Sequence, residues 1–201
     1  MEGPWTFGVR PARLNTKGDL ARRNKDLEEM GALAALDAGL ISVKDYDRTK
    51  KCLNNIKIDR LAKQNNESDN TRGLWIWGPP GVGKSRYARD NFTDIYLKAQ
   101  NKWFDNYDGQ ATILLEDHDN GCLGHLLKLW MDHYPVSGET KGGNVALVHR
   151  DFVVTSNYTP EQLYEKDGTD MVKAIRRRCK VMEMPETPFT DQQKKDDKEK
   201  N

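Results

Sequence analysis

Eight consecutive residues, Gly78, Pro79, Pro80, Gly81, Val82, Gly83, Lys84 and Ser85, carry the spacing GxxxxGK[ST] that a phosphate-cradling loop requires. Several glycines let the backbone turn its N–H groups inward around an anion, and the start of a following helix adds a favourable dipole. The Lys84 ammonium then suits the β- and γ-phosphates of a nucleoside triphosphate. The Ser85 hydroxyl suits Mg²⁺, which holds most of its waters and needs few protein oxygens. The motif follows the apolar run Leu74–Trp77 and precedes the helix-compatible SRYARDNF, the strand-loop-helix context that gives it meaning.

Two further apolar runs deliver polar groups of the right kind. Thr112–Leu115 ends in Glu116 and Asp117, an acid pair where the carboxyl end of a parallel strand puts it beside a nucleotide. Glu116 is read as a metal residue acting through the Mg²⁺ water shell, and Asp117 as the carboxylate that polarises an attacking water. Phe152–Ser156 delivers Asn157, whose amide can hydrogen-bond both a γ-phosphate and that water. Late in the chain, Arg176, Arg177 and Arg178 close a helical pattern. They read either as a solvated basic helix end or, in a ring of subunits, as the source of a guanidinium for a neighbour's γ-phosphate.

The elements that must position these groups follow from periodicity. Short buried strands alternating with helix-like stretches predict an α/β P-loop domain with a mainly parallel sheet over residues 70–185. Before it, Leu20, Leu27, Met30, Ala34 and Leu40 recur near helical spacing, predicting one helix over about 20–38 with Asp19 as N-cap and Gly39 as stop. Ser42 opens a second amphipathic helix bearing Val43, Tyr46, Leu53 and Ile56. Residues 18–66 are thus a small helical domain with too little core to stand alone, which must pack on another helix or on copies of itself, or else dock as two ordinary helices on the main domain. Residues 1–17 read as a linker, Gln64–Arg72 as a second one, and 186–201 as a charged, disordered tail.

Composition limits the rest. A chain of 201 residues, 36% hydrophobic and 31% charged, has material for one real core. The net charge of +1 means that any nucleic-acid contact must rest on local patches. Three dispersed cysteines without a CxxC pair argue against a disulfide framework or zinc site and fit a reducing, intracellular setting. No run is long and apolar enough to span a bilayer, so no membrane partner is expected.

In order, GPPGVGKS, QNKWFDNYDG, LLED, HYPVSGETKGG, VVTSN and AIRRRC resemble the replication-associated proteins of circoviruses and related circular single-stranded-DNA elements, over about residues 70–182. The resemblance implies a superfamily-3, AAA+-like helicase domain using ATP and Mg²⁺. In it Lys84 and Ser85 are Walker A, Glu116 and Asp117 are Walker B, and Asn157 is the motif C residue. It implies that Lys141, Gly142 and Gly143, in ETKGG, form a hairpin loop contacting single-stranded DNA. It places an arginine finger at Arg177 or Arg178 and leaves Trp103 without a catalytic role. It further implies a homohexameric ring, 3′-to-5′ movement and work in a host nucleus. Glu116 departs from the usual aspartate, and His118 stands where an aromatic is common. No His-x-His or nicking-tyrosine motif is present, so cleavage and joining at an origin are not expected of this chain. The expectation is an ATP-dependent single-stranded-DNA translocase. Its rival is an ATP-regulated assembly or DNA-binding switch that does not unwind.

Overall fold

A computed structural model describes residues 17–61, 63 and 71–186. The expectations for residues 1–16, 64–70 and 187–201, linkers and tail, lie outside the described residues. The chain divides into two compact units, residues 1–56 and 57–201, so the division falls inside the second helix rather than at the polar stretch after it.

In the first unit, α1 spans Lys17–Asp37 and is broken at Gly31, whose φ of 81° and ψ of 167° leave the helical region. Glycine reaches that left-handed backbone without a Cβ clash, which is why one continuous helix does not form. Asp19 lies in the first turn rather than at the cap, where it still faces the positive end of the helix dipole. Gly39, with φ 70°, ends the helix, and the Leu40 N–H closes back on the Ala35 carbonyl at 2.9 Å. Ser42 then precedes α2, Val43–Leu61, its hydroxyl donating to the Asp45 carboxylate at 2.6 Å. Only Ala32 and Ala35 are buried in α1 and nothing in α2, while Leu20, Leu33 and Val43 stand 54, 59 and 80% exposed.

The second unit is built on five strands: β1 (Gly73–Trp77), β2 (Ile95–Leu97), β3 (Thr112–Leu115), β6 (Asp151–Ser156) and β7 (Cys179–Glu183), in the order β2-β3-β6-β1-β7. Every pairing is parallel. A parallel sheet buries both faces, which accounts for the near-continuous apolar runs TILL and FVV. Trp75, Ile113, Leu115, Phe152 and Val154 point to one core, and Ile76, Leu114 and Val153 to the other. Helices α3 (Lys84–Asn91), α4 (Gly124–Trp130), α5 (Pro160–Tyr164) and α6 (Thr169–Arg176) connect the strands. A separate antiparallel hairpin, β4 (Val136–Thr140) with β5 (Gly143–Leu147), turns through Lys141 and Gly142. The order has one consequence for chemistry. Strand β6 lies between β1 and β3, with Ser156 level with Trp77 and Val154 level with Leu115, so the carboxyl ends of all three open on one edge.

Candidate functional site

That edge carries the phosphate loop, the acid pair and Asn157. The loop leaves β1 at Gly78, where an added Cβ would meet the Met184 carbonyl at 2.4 Å, so only glycine fits beside the strand end. Gly83 takes φ 95° and passes directly into α3, which therefore starts at Lys84 with its free N–H groups facing the loop.

Lys84 is 7% exposed, and its ammonium donates to the carbonyls of Gly78 at 2.7 Å and Pro79 at 2.8 Å and to Asn157 Oδ1 at 2.9 Å. Burial pushes this ammonium below the usual lysine range, and the charges of Asp117 and Asp119 pull it part of the way back. A single cation thus joins the loop after β1 to the end of β6.

Glu116 and Asp117 follow β3 on the same edge. The Glu116 carboxylate is gripped by both ends of the Arg89 guanidinium, Nη1 at 2.5 Å and Nη2 at 2.7 Å, and also accepts from the Ser85 hydroxyl. The Arg89 hydrogen bonds hold it below the ordinary carboxylate range. Asp117 is exposed, with φ 48°, and its backbone N–H donates to Thr155 Oγ1 at 3.1 Å. Gln100, from the loop after β2, braces this turn by donating Nε2 to the carbonyls of Glu116 at 3.0 Å and Asp117 at 2.8 Å. His118 turns away into the core. It is fully buried, hydrogen-bonded through Nε2 to the Tyr164 hydroxyl at 2.7 Å and set edge-on to Trp75, and burial pushes it down to about 4.

Among the hard oxygens at this edge, Ser85 Oγ and the Glu116 carboxylate are already neighbours, which is the oxygen-only chemistry Mg²⁺ takes. Arg89 bonds both Glu116 oxygens, so a metal or its waters would have to share this carboxylate with the guanidinium.

The remaining candidates sit elsewhere. Lys141 is exposed at the β4–β5 turn, with its backbone N–H on Asp105 Oδ1 at 2.9 Å; Gly142 takes φ 101°, and Gly143 opens β5. The hairpin is tied to the loop after β2, where Phe104 N–H donates to the Glu139 carbonyl at 2.8 Å and Lys102 pairs with the Glu139 carboxylate at 2.7 Å. Trp103 is partly buried under the Lys102 ammonium, 4.4 Å from its ring centre. Arg178 is largely buried, its Nε on Asp132 at 2.5 Å and Nη1 on the Ala174 carbonyl at 2.9 Å. Arg176 pairs with Glu161 at 2.5 Å, whereas Arg177 is exposed. These arginines precede β7, whose first residue Cys179 is level with Gly73 at the start of β1. They lie at the amino edge of the sheet, and Lys84 and Asn157 at the carboxyl edge, roughly 15 Å away at about 3.3 Å per strand residue.

Sequence reasoning missed Arg89, Gln100 and Asp119. Arg89 was findable, being four residues after Ser85 and hence on the same face of α3. Asp119 shares the parity of Asp117 beyond the strand, a weak signal; Gln100 carries none.

A family model described as RNA helicase matches residues 74–125, from β1 through the acid pair into α4. The replication-associated protein of Porcine circovirus 1 is 38% identical over 116 residues, covering 56% of this chain and 37% of that one. Its counterpart from Pigeon circovirus is 32% identical over 173 residues, covering 82% of this chain and 53% of that one. The chain therefore spans about a third to a half of the length of the curated relatives it matches. Among solved structures it is similar to DnaI, at 17% identity and a TM-score of 0.36 over 68% of this chain and 85% of that one. With the phosphate loop, acid pair and β6 asparagine gathered at one sheet edge, and with sequence likeness running through all of them, the chain is similar to the replication-associated proteins of circoviruses over the part of their length that it spans.

Proposed function

We propose that this chain is the motor portion of a replication initiator, hydrolysing ATP at the carboxyl edge of its sheet and moving single-stranded DNA with the Lys141 hairpin. The observation that carries the reading is the 2.9 Å hydrogen bond from Lys84 to Asn157 Oδ1, which joins the phosphate loop to the strand lying between β1 and β3.

In this reading the amides of Gly81, Val82 and Gly83 and the start of α3 receive the phosphates, and Lys84 exchanges its carbonyl partners for phosphate oxygens. Ser85 and Glu116 would hold Mg²⁺, the carboxylate through the ion's waters, and the ion would supply positive charge to the β- and γ-phosphates. Asp117, exposed and turned out of the strand, accepts a proton from the attacking water. Asn157 orients that water and the terminal phosphate.

Arg177 is the arginine finger in this proposal. Arg178 is already committed to Asp132, and the amino edge of the sheet is too far from the chain's own Lys84, so the guanidinium serves a neighbouring subunit. The assembly is a ring, taken as a homohexamer. The groove between α1 and α2, lined by Leu20, Leu27, Leu40, Leu53 and Ile56, is the collar that takes a second copy. Lys141 contacts DNA phosphates without reading sequence, the adjacent glycines allowing close approach. Work in a host nucleus belongs to the same proposal. Among the described residues no helix is long and apolar enough to cross a membrane.

The test is Mg-ATP turnover with and without single-stranded DNA, beside unwinding of a forked duplex and a mass measurement of the assembly. Stimulated turnover with strand separation is expected, and Lys84→Ala should abolish nucleotide binding or turnover. Hydrolysis indifferent to DNA with no unwinding would instead favour an assembly switch.

A further inference from the structure

The amide of Asn157 is held from both ends. Its Nδ2 donates to Asp119 Oδ2 at 2.6 Å, its backbone N–H donates to Asp119 Oδ1 at 2.8 Å, and the neighbouring Ser156 hydroxyl donates to that same Oδ1 at 3.2 Å. On the other side, its Oδ1 accepts from the Lys84 ammonium at 2.9 Å. A carboxylate only accepts and an ammonium only donates, so these two neighbours permit one orientation of the amide. Rotated by half a turn, the amide would set its carbonyl against Asp119 and its N–H₂ against Lys84, losing both charge-assisted bonds.

We propose that Asp119, a residue outside the Walker and motif C set, is the positioning residue of the hydrolytic site, fixing the direction in which Asn157 presents its amide. The proposal rests on the ATPase reading above. Asp119 reaches Asn157 from the turn after β3, two residues beyond Asp117, so it also locks the acid-bearing turn to the end of β6. An amide nitrogen carries two hydrogens. One is committed to Asp119, which leaves the other for a phosphate oxygen, while Oδ1 becomes available to a water proton once Lys84 turns to the phosphates. Asp119 touches no reacting atom in this scheme and acts on the chemistry by fixing Asn157.

The test uses the full 201-residue chain. With Asp119→Ala, kcat for Mg-ATP is expected to fall about 10- to 100-fold, the scale of a misaligned reacting group, with KM changed by less than about threefold. Asn157→Ala should fall at least as far, and the double variant no further than Asn157→Ala, because residues acting as one unit are not additive. A second multiplicative loss in the double variant, or an unchanged kcat in Asp119→Ala, would overturn the proposal. A readout free of turnover is the side-chain N–H₂ pair of Asn157 in a ¹⁵N-correlated spectrum, assigned by its disappearance in Asn157→Ala. It should move in Asp119→Ala and in the isosteric Asp119→Asn, the second variant serving if the first fails to fold; an unmoved pair refutes the link. If the wild-type chain turns over no ATP, the motor reading falls, and the amide resonance alone then decides the role of Asp119.

Discussion

Acidification should destabilise this protein through two buried imidazoles. His118 and His149 are 0 and 1% exposed, and burial pushes each down to about 4 from an ordinary 6.5. Each uses Nε2, on the Tyr164 hydroxyl and the Trp130 carbonyl respectively, and leaves Nδ1 buried without a partner. An unfolded imidazole takes up a proton below 6.5 while the folded one stays neutral, so acid favours the unfolded chain. Their stabilising effect is complete above 6.5 and is lost as pH falls toward 4. Between pH 7.5 and 5.5 the loss is about 1 kcal/mol for each histidine, or about 2 to 3 kcal/mol together. For a chain of this size that lowers the melting temperature by roughly 5 to 11 °C. The depressed carboxylates Glu116, Asp132 and Glu161 lose their contribution only as pH falls through the carboxylate range, below this window. Lys98, lowered to about 8 by burial, acts above it. Melting curves in EDTA at the two pH values, for wild type, His118→Gln and His149→Gln, check the account. Each variant should lose about half of the pH dependence whatever its absolute stability. A wild-type shift under about 2 °C, or an undiminished dependence in both variants, would refute it.

The arginine pair separates structure from chemistry. Arg178→Ala leaves Asp132, whose side chain is only 14% exposed, with His133 as its remaining partner and should cost about 2 kcal/mol, between the values for surface and fully buried pairs, visible as a lower melting temperature. Arg177→Ala should leave the melt within about 1 °C yet lower turnover in the assembled protein by about 10³-fold, and the reverse pattern would move the finger to Arg178. Lys141→Ala should weaken single-stranded-DNA binding and reduce the slope of log affinity against log salt by about 0.7, the increment for one phosphate contact; an unchanged slope would remove Lys141 from the backbone path.

How far the sequence discloses this molecule depends on how local each feature is. The phosphate loop is contiguous and its glycines answer to backbone geometry at their own positions, so GPPGVGKS is legible without a partner. The strands β1, β3 and β6 are legible because a parallel sheet buries both faces, leaving short unbroken apolar runs. Strand β2 has three residues and β7 mixes Lys180 and Glu183 with apolar neighbours, as edge strands do, and no such run marks them. The break at Gly31 escapes because an isolated glycine is tolerated in most helices. What stays hidden above all is pairing at a distance. Arg89 with Glu116, Gln100 with the Glu116 and Asp117 carbonyls, and Asp119 with Asn157 span 16 to 38 residues and exist only after the strand order is set.

That strand order also explains why the ends of the sheet are asymmetric in charge and what this requires. Placing β6 between β1 and β3 gathers Lys84, Asn157, Glu116 and Asp117 at the carboxyl edge, with each charge answered locally: Lys84 by two carbonyls and an amide, Glu116 by Arg89 and Ser85. A triphosphate that draws on Lys84 must compete with these partners, so binding is an exchange, and its first mechanical effect falls on Asn157 and on the loop tied to it through Asp119. No arginine from the amino edge can join that exchange within one chain, because the sheet itself stands between. In the ring we propose, Arg177 acts against a second copy, and the exposed Leu20, Leu33 and Val43 would be covered by the same association. The proposed ring of subunits would meet both needs. An assembly that stayed monomeric at micromolar concentration with ATP and DNA present would contradict both at once.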